Sequence, residues 1–192
     1  MKIILATHND KKLEEIRLLF KDTDISFTSL KELGFNEEIE ENGRTFKENA
    51  YIKASYIYNL YHLPVVSDDS GLEIKSLNNE PGIYSARYAD GNYDAAMDKI
   101  IKRLEDKKDR TADFNCSICF IDELGKDHYF EHKCFGEIGY VKAKGRAFGY
   151  DPIFYYQGQS FACLSLEEKN KISHRGLAFK DFYNFIIKNY KK

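Results

Sequence analysis

In Val65–Ile74, written VVSDDSGLEI, an apolar run delivers two adjacent carboxylates, Asp68 and Asp69, then the hydroxyl of Ser70 and a glycine. Neighbouring negative charges repel, so the pair must stay in water or be given a cation. A hard divalent ion such as Mg2+ takes oxygen ligands, commonly one or two carboxylates with phosphate oxygens and water. The pattern predicts a strand ending at the aspartates, and sites in open α/β sheets gather at the carboxyl ends of strands. A plain Asp-Ser-Gly turn is the bland alternative.

Three other constellations carry chemistry. Residues 7–12, THNDKK, join a strand to a helix start, where free N–H groups and the helix dipole favour anions. Thr7 and Asn9 add polar side chains and Lys12 a positive charge. The Gly-x4-Gly-Lys pattern of a Walker loop is absent, and Asn9 or Asp10 would also serve as a simple cap. Further on, Glu37, Glu38, Glu40 and Glu41 crowd ahead of a helix on which Asn49 and Lys53 share a face. Such a cluster is more often a solvated loop than a metal site. Last, RAFGYDPIF offers Phe148, Gly149, Tyr150 and Asp151, and EEKNKISHRG offers Lys169, His174 and Arg175. An aromatic face with fixed donors is how proteins hold a nucleobase. A turn at Tyr150–Asp151 and a Ser173 cap are the structural alternatives.

The elements that must position these residues alternate between strand and helix, which indicates an α/β protein. KIILAT is a short apolar strand, and KKLEEIRLLF has apolar residues at helical spacing. DISFTSLKEL continues as a strand and turn. Thr45 with Glu48 marks a capping box at the start of the long helix TFKENAYIKASYIYNLY. LPVVSDD is a strand, DAAMDKIIKRLEDK an amphipathic helix, and the segments on either side of Gly125 are paired strands. A strand surrounds DPIFYY, a short helix lies near LEEKNK, and a terminal helix closes the chain.

The 192 residues fit one domain, with 43% hydrophobic and 31% charged residues, as in a soluble globular protein. A net charge of −2 argues against wholesale nucleic-acid binding. No stretch approaches membrane-spanning length, and the apolar start is too short for a secretory signal, so the expected location is cytoplasmic. Cys116 and Cys119 have the Cys-x-x-Cys spacing, but in a strand they point to opposite faces and are expected to be reduced core residues.

The segments ATHNDKK, GRTFKENAYIKA, SDDSGLEI, PGIYSARYA, FGYDPIF and EEKNKISHRG occur in order along the whole chain. Together they resemble the non-canonical purine nucleoside triphosphate pyrophosphatase family, which includes inosine triphosphate pyrophosphatase. The resemblance implies a single domain over residues 1–192 with a long mixed β-sheet flanked by helices. It implies two lobes with an active-site cleft between them, and a homodimer. It also implies Mg2+-dependent hydrolysis of dITP, ITP and XTP to the monophosphate and pyrophosphate. Asp69 matches the proton acceptor and a metal ligand. Glu40 matches the other metal carboxylate, with Glu41 a close competitor. Thr7, Asn9 and Lys12 match the triphosphate loop, whose place in the family would also set His8, Asp10 and Lys11 against the substrate, and Lys53 and Asp68 match polar residues beside the scissile bond. Ser70 matches a substrate contact. Phe148, Gly149, Tyr150, Asp151, Lys169, His174 and Arg175 match the base and sugar pocket. The chain departs at His8, Lys11, Arg146 and Ala147, where many relatives have glycine.

The implied reaction is attack of water on the α-phosphorus, with Asp69 orienting or deprotonating the water. Lys12 and Lys53 would stabilise the leaving oxygens. Donors aimed at a 6-carbonyl would reject adenine, because each buried polar group left unpaired costs about 1–3 kcal/mol. Two rival readings are a metal-dependent phosphatase or pyrophosphatase acting on the standard nucleotides, and a non-catalytic purine-nucleotide-binding module.

Overall fold

The computed structural model describes residues 1–146 and 148–190; Ala147, one of the departures named above, lies outside them. In chain order the elements are β1 (Lys2–Leu5), α1 (Asp10–Leu19), β2 (Ser26–Ser29), α2 (Phe46–Tyr61) and β3 (Val65–Ile74). They continue with β4 (Glu80–Pro81), α3 (Tyr93–Arg103), β5 (Thr111–Ile121), β6 (Asp127–Ile138), β7 (Phe154–Tyr156) and β8 (Gln159–Ser160). Two helices close the chain, α4 (Leu166–Ile172) and α5 (His174–Tyr190). Among the described residues the sheet order is β2-β1-β3-β5-β6-β7-β8, with β4 beside β3. β1 pairs in parallel with β2 and β3, whereas β6, β7 and β8 pair antiparallel. This is the expected mixed sheet with helices.

Local chemistry explains the boundaries. Asn9 caps α1, its side chain accepting from the N–H groups of Lys11 and Lys12. Thr45 caps α2 by accepting from Glu48 N–H, but the expected capping box is only half made. The Glu48 carboxylate takes the N–H of Arg44 instead, one residue further out. A complete capping box occurs at α4, between Ser165 and Glu168. The β5–β6 hairpin turns at Gly125 (φ +78°), where Asp122 Oδ1 accepts from the N–H groups of Leu124 and Lys126.

The chain divides into two compact units. The first holds Met1–Asp69, Cys116–His132 and the segment from Arg175 onward. In it, Ile16 of α1, its C-cap Phe20, and Phe179 and Phe182 of α5 pack against Ile3, Leu5, Val66, Cys116, Ile118 and Phe120. On the opposite sheet face, Ala50, Ala54 and Ile57 of α2 pack against Ile4, Val65, Cys119 and Ile121. Cys116 and Cys119 thus lie in separate cores, both buried and both free thiols. Burial pushes the Cys119 thiol up to about 12, which keeps it unreactive.

The second unit holds Ser70–Asn115 and Lys133–His174. Its core gathers Leu72, Ile74, Met97, Ile100, Phe114, Phe154 and Phe161. Arg110 is buried there, and its guanidinium donates to the carbonyls of Leu104, Ile138 and Gly139. No helix among the described residues is long and apolar enough to cross a membrane.

Close approach of β6 and β7 generates a stability prediction. A Cβ on Gly136 would lie 2.3 Å from the carbonyl oxygen of Tyr155, which is backbone and cannot swing aside. Gly136→Ala is expected to cost about 1–3 kcal/mol, as overpacking does. Urea unfolding checks it, with Gly158→Ala, in open space, as the comparison for glycine loss at a turn.

Candidate active site

The strand does not end at the aspartates as the sequence pattern suggests. β3 runs unbroken through Asp68 and Asp69 to Ile74. Neither carboxylate turns out to water: Asp68 is 1% exposed and Asp69 is 7% exposed. Side chains alternate across a strand, so the two point to opposite faces. Each then meets cations from elements distant in sequence, and the chain has no need to turn.

Asp68 faces α1 and α5. Its Oδ2 accepts from Lys12 Nζ at 2.8 Å and from Arg175 Nε at 3.3 Å. Arg175 is itself buried, and its Nη1 donates to Glu15 Oε2 at 2.5 Å. Two acids and two bases thus alternate along one buried chain, Glu15–Arg175–Asp68–Lys12. Burial alone would raise the Asp68 pKa, but the charges of Lys12, Arg175 and Lys53 outweigh it and hold the carboxyl well below its usual range. Oδ1 of Asp68 is buried and accepts no hydrogen bond among the described residues.

Asp69 faces α2. Its Oδ2 accepts from Asn49 Nδ2 at 3.1 Å, and its Oδ1 lies 3.6 Å from Lys53 Nζ. Lys53 also lies 3.3 Å from Glu41 Oε1. Burial raises the Asp69 pKa; Lys53 and Lys12 oppose the rise, Glu41 adds to it, and the net direction is upward. Lys53 is buried too, yet Asp69, Glu41 and Asp68 together hold its pKa above the ordinary value. Of the two candidate metal carboxylates, Glu41 therefore stands with Asp69 around Lys53, while its neighbour Glu40 is exposed.

The loop at residues 7–12 shares this unit. Thr7 Oγ1 accepts from Asn9 N–H at 3.2 Å, and the Asn9 side chain caps α1. His8 Nε2 donates to the carbonyl of Glu37 at 2.9 Å, and the ring stacks on Phe35. His8 thus fastens the start of the acidic segment to the loop at residues 7–12. His8, Asp10 and Lys11 are exposed.

The second unit holds most of the residues expected around the base and sugar, but Arg175 falls in the first unit, bound to Asp68 and Glu15. Lys169 is buried, with Nζ 2.7 Å from Asp151 Oδ2 and 4.8 Å from the centre of the Phe148 ring. Phe148, Gly149 and Ser70 are partly exposed. Gly149 has φ +56°, which a residue with Cβ rarely adopts. Tyr150 is a core residue whose hydroxyl donates to the carbonyl of Ser85 at 2.7 Å. The His174 ring stacks on Phe114 at 4.7 Å.

The sequence reading missed Glu15 as part of the charge network. The available signal was its position one turn after Lys12 on a helix, which places both on one face. Asn49 was placed on the face of Lys53 without a partner, and Asp69 supplies one.

The sequence matches the Ham1 family over residues 3–185. A relative from Christiangramia forsetii, described as a dITP/XTP pyrophosphatase, is 44% identical over 192 residues, covering 98% of this chain and all of its own. A dITP/XTP pyrophosphatase from Desulfotalea psychrophila is 43% identical over 93% of this chain and 82% of its own. Among solved structures, a HAM1 protein from Coxiella burnetii superposes with a TM-score of 0.88 at 38% identity, covering 98% of this chain and 99% of that one. The Ham1 protein of Staphylococcus aureus gives 0.87 at 36% identity over 97% and 98%.

The contrast between the aspartates predicts unequal stability effects. Asp68→Asn strands Lys12 and Arg175 beside a neutral group, and should cost about 3–5 kcal/mol at pH 7. Because its folded pKa lies below the ordinary 3.8, the stabilising charge is complete above that pH and fades as pH falls further, so the gap to the parent should narrow in acid. Asp69 has a raised pKa, so its own charge gives no such support at neutral pH, and Lys53 keeps Glu41 as a partner when it is lost; Asp69→Asn should therefore cost clearly less than Asp68→Asn. Urea unfolding at pH 7 and pH 3 measures both.

Proposed function

The chain belongs to the Ham1 family, and from that premise we propose that it hydrolyses non-canonical purine nucleoside triphosphates, dITP, ITP and XTP, to the monophosphate and pyrophosphate. The observation that carries the chemistry is the setting of Asp69. Its neighbour is neutralised by its own cations, whereas Asp69 stands with one ammonium and one amide on α2. A carboxyl with a raised pKa is the better proton acceptor of the two.

In the proposed reaction a water oxygen forms a bond to the α-phosphorus. The bond from that phosphorus to the α,β-bridging oxygen breaks, and pyrophosphate leaves with its electrons. Asp69 orients the water and takes up its proton. Lys53, with a raised pKa, is a permanent cation for the developing negative charge, and Lys12 is a second.

The donor set fits a hard divalent cation. Glu41 and Asp69 stand together beside Lys53, so the protein can offer one or two carboxylates. That is the usual share for Mg2+, which completes its shell with phosphate oxygens and water. Asp69 with Glu40 or Glu41 would hold it, and Glu41 is favoured by its place beside Lys53. When bound, the ion spreads charge over the phosphates.

The base end of the reading rests on the second unit. Phe148 offers a partly exposed ring for stacking, and Lys169, fixed by Asp151, offers donors for a purine carbonyl. The proposal extends to a cytoplasmic homodimer. Free thiols suit a reducing compartment, and Tyr51, Tyr56, Leu60 and Leu63 form exposed apolar surface on and just after α2.

Incubation with ITP, XTP, GTP, ATP and dTTP plus Mg2+, with products resolved, tests the reading. Pyrophosphate from ITP and XTP, abolished by EDTA and restored by Mg2+, is expected. Orthophosphate would favour a phosphatase, and no turnover a binding module. Asp69→Asn should lower kcat by roughly 10²-fold or more, with substrate binding less affected. A near-parental kcat would remove Asp69 from its role.

A further inference from the structure

We propose that Asn49 is the positioning residue that aims the Asp69 carboxylate, and that Gly43 is a glycine so that Asn49 can do so. The inference rests on the pyrophosphatase reading above.

Asn49 is fully buried in the first turn of α2. A buried side-chain amide must satisfy an acceptor and a donor group. Its Oδ1 accepts from the N–H of Gly43 at 2.9 Å, and its Nδ2 donates to Asp69 Oδ2 at 3.1 Å. The backbone N–H can only donate and the carboxylate accepts, so the amide has one workable orientation. Lys53 follows one turn later on α2 and approaches the other oxygen, Oδ1. The two oxygens of Asp69 are therefore held from two successive turns of one helix, which fixes the plane of the carboxylate.

Gly43 closes the arrangement. A Cβ at this position would lie 2.7 Å from Asn49 Oδ1 and 2.8 Å from Glu48 Cβ. Real Cβ atoms do not approach so closely, so any side chain at 43 would push the amide away or force the backbone back. Gly43 also ends the acidic segment that carries Glu40 and Glu41. The amide thus ties that segment and Asp69 to one frame, within a single unit of the chain. Hydrolysis needs this because rate depends steeply on geometry: a misplacement of about 1 Å can cost 10²-fold.

The test uses Asn49→Leu, Gly43→Ala and the double variant, with ITP and Mg2+, beside melting temperatures of the metal-free proteins. Each single variant should lose roughly 10- to 100-fold in kcat, with KM changed less than about threefold. The double variant should lose about as much as one single variant, because the two residues form one device. If Asn49→Leu does not fold, Gly43→Ala, which leaves every polar group in place, carries the test alone. A lowered melting temperature with kcat within about twofold of the parent would make the pair merely structural and overturn the proposal. So would a raised KM at parental kcat, which would make Asn49 a substrate contact. Additive losses would break the link to Gly43. An inactive parent chain would overturn the function reading and this proposal together; an active parent with unchanged variants would overturn only the latter.

Discussion

Two carboxylates on consecutive residues of a buried strand lose their water and, if they met, would repel. The fold resolves this by alternation and by supply of cations from both sides. Asp68 turns to Lys12 and Arg175, and Asp69 turns to Lys53. Those cations come from α1, α5 and α2, so the three helices that build the first unit are also the ones that make its strand tolerable. Removing any one of these cations would leave a buried carboxylate with less compensation than it needs, and breaking a buried pair is strongly destabilising.

The resolution is unequal, and the inequality is what the proposed chemistry would use. Asp68 is held ionised inside an alternating chain with Glu15 at its far end. Asp69 has a weaker set of partners, and burial keeps its affinity for protons up. Adjacent carboxylates whose environments push their pKa values apart are a common way to separate a structural charge from a reactive one. Here α2 is the working element. Its first turn brings Asn49, its second Lys53, and its N-terminal approach brings Glu41 and Gly43.

Much of this was legible in the sequence, and the gaps have physical causes. The helix starts at Asn9 and Thr45, the Gly125 hairpin and the split of Cys116 from Cys119 all follow from local rules. So does the need of Asp68 and Asp69 for cations. Their place in the strand does not. A strand normally ends where charges appear, and here it continues because the compensating cations lie at positions 12, 53 and 175, beyond any local window. Glu15 has no local sign of its role because its partner Arg175 is remote in sequence. Arg110, a cation held by three carbonyls, has no local signature at all. Glu41 rather than Glu40 at Lys53 depends on the path of an irregular loop, which periodicity cannot supply.

The most direct measurement is a 13C NMR titration of the side-chain carboxyl carbons of Asp68 and Asp69 in the metal-free protein. The account predicts that Asp68 stays ionised well below the ordinary value of 3.8, while Asp69 takes up its proton above that value. Superimposable titrations of the two carbons, or Asp68 protonating first, would contradict the division of roles.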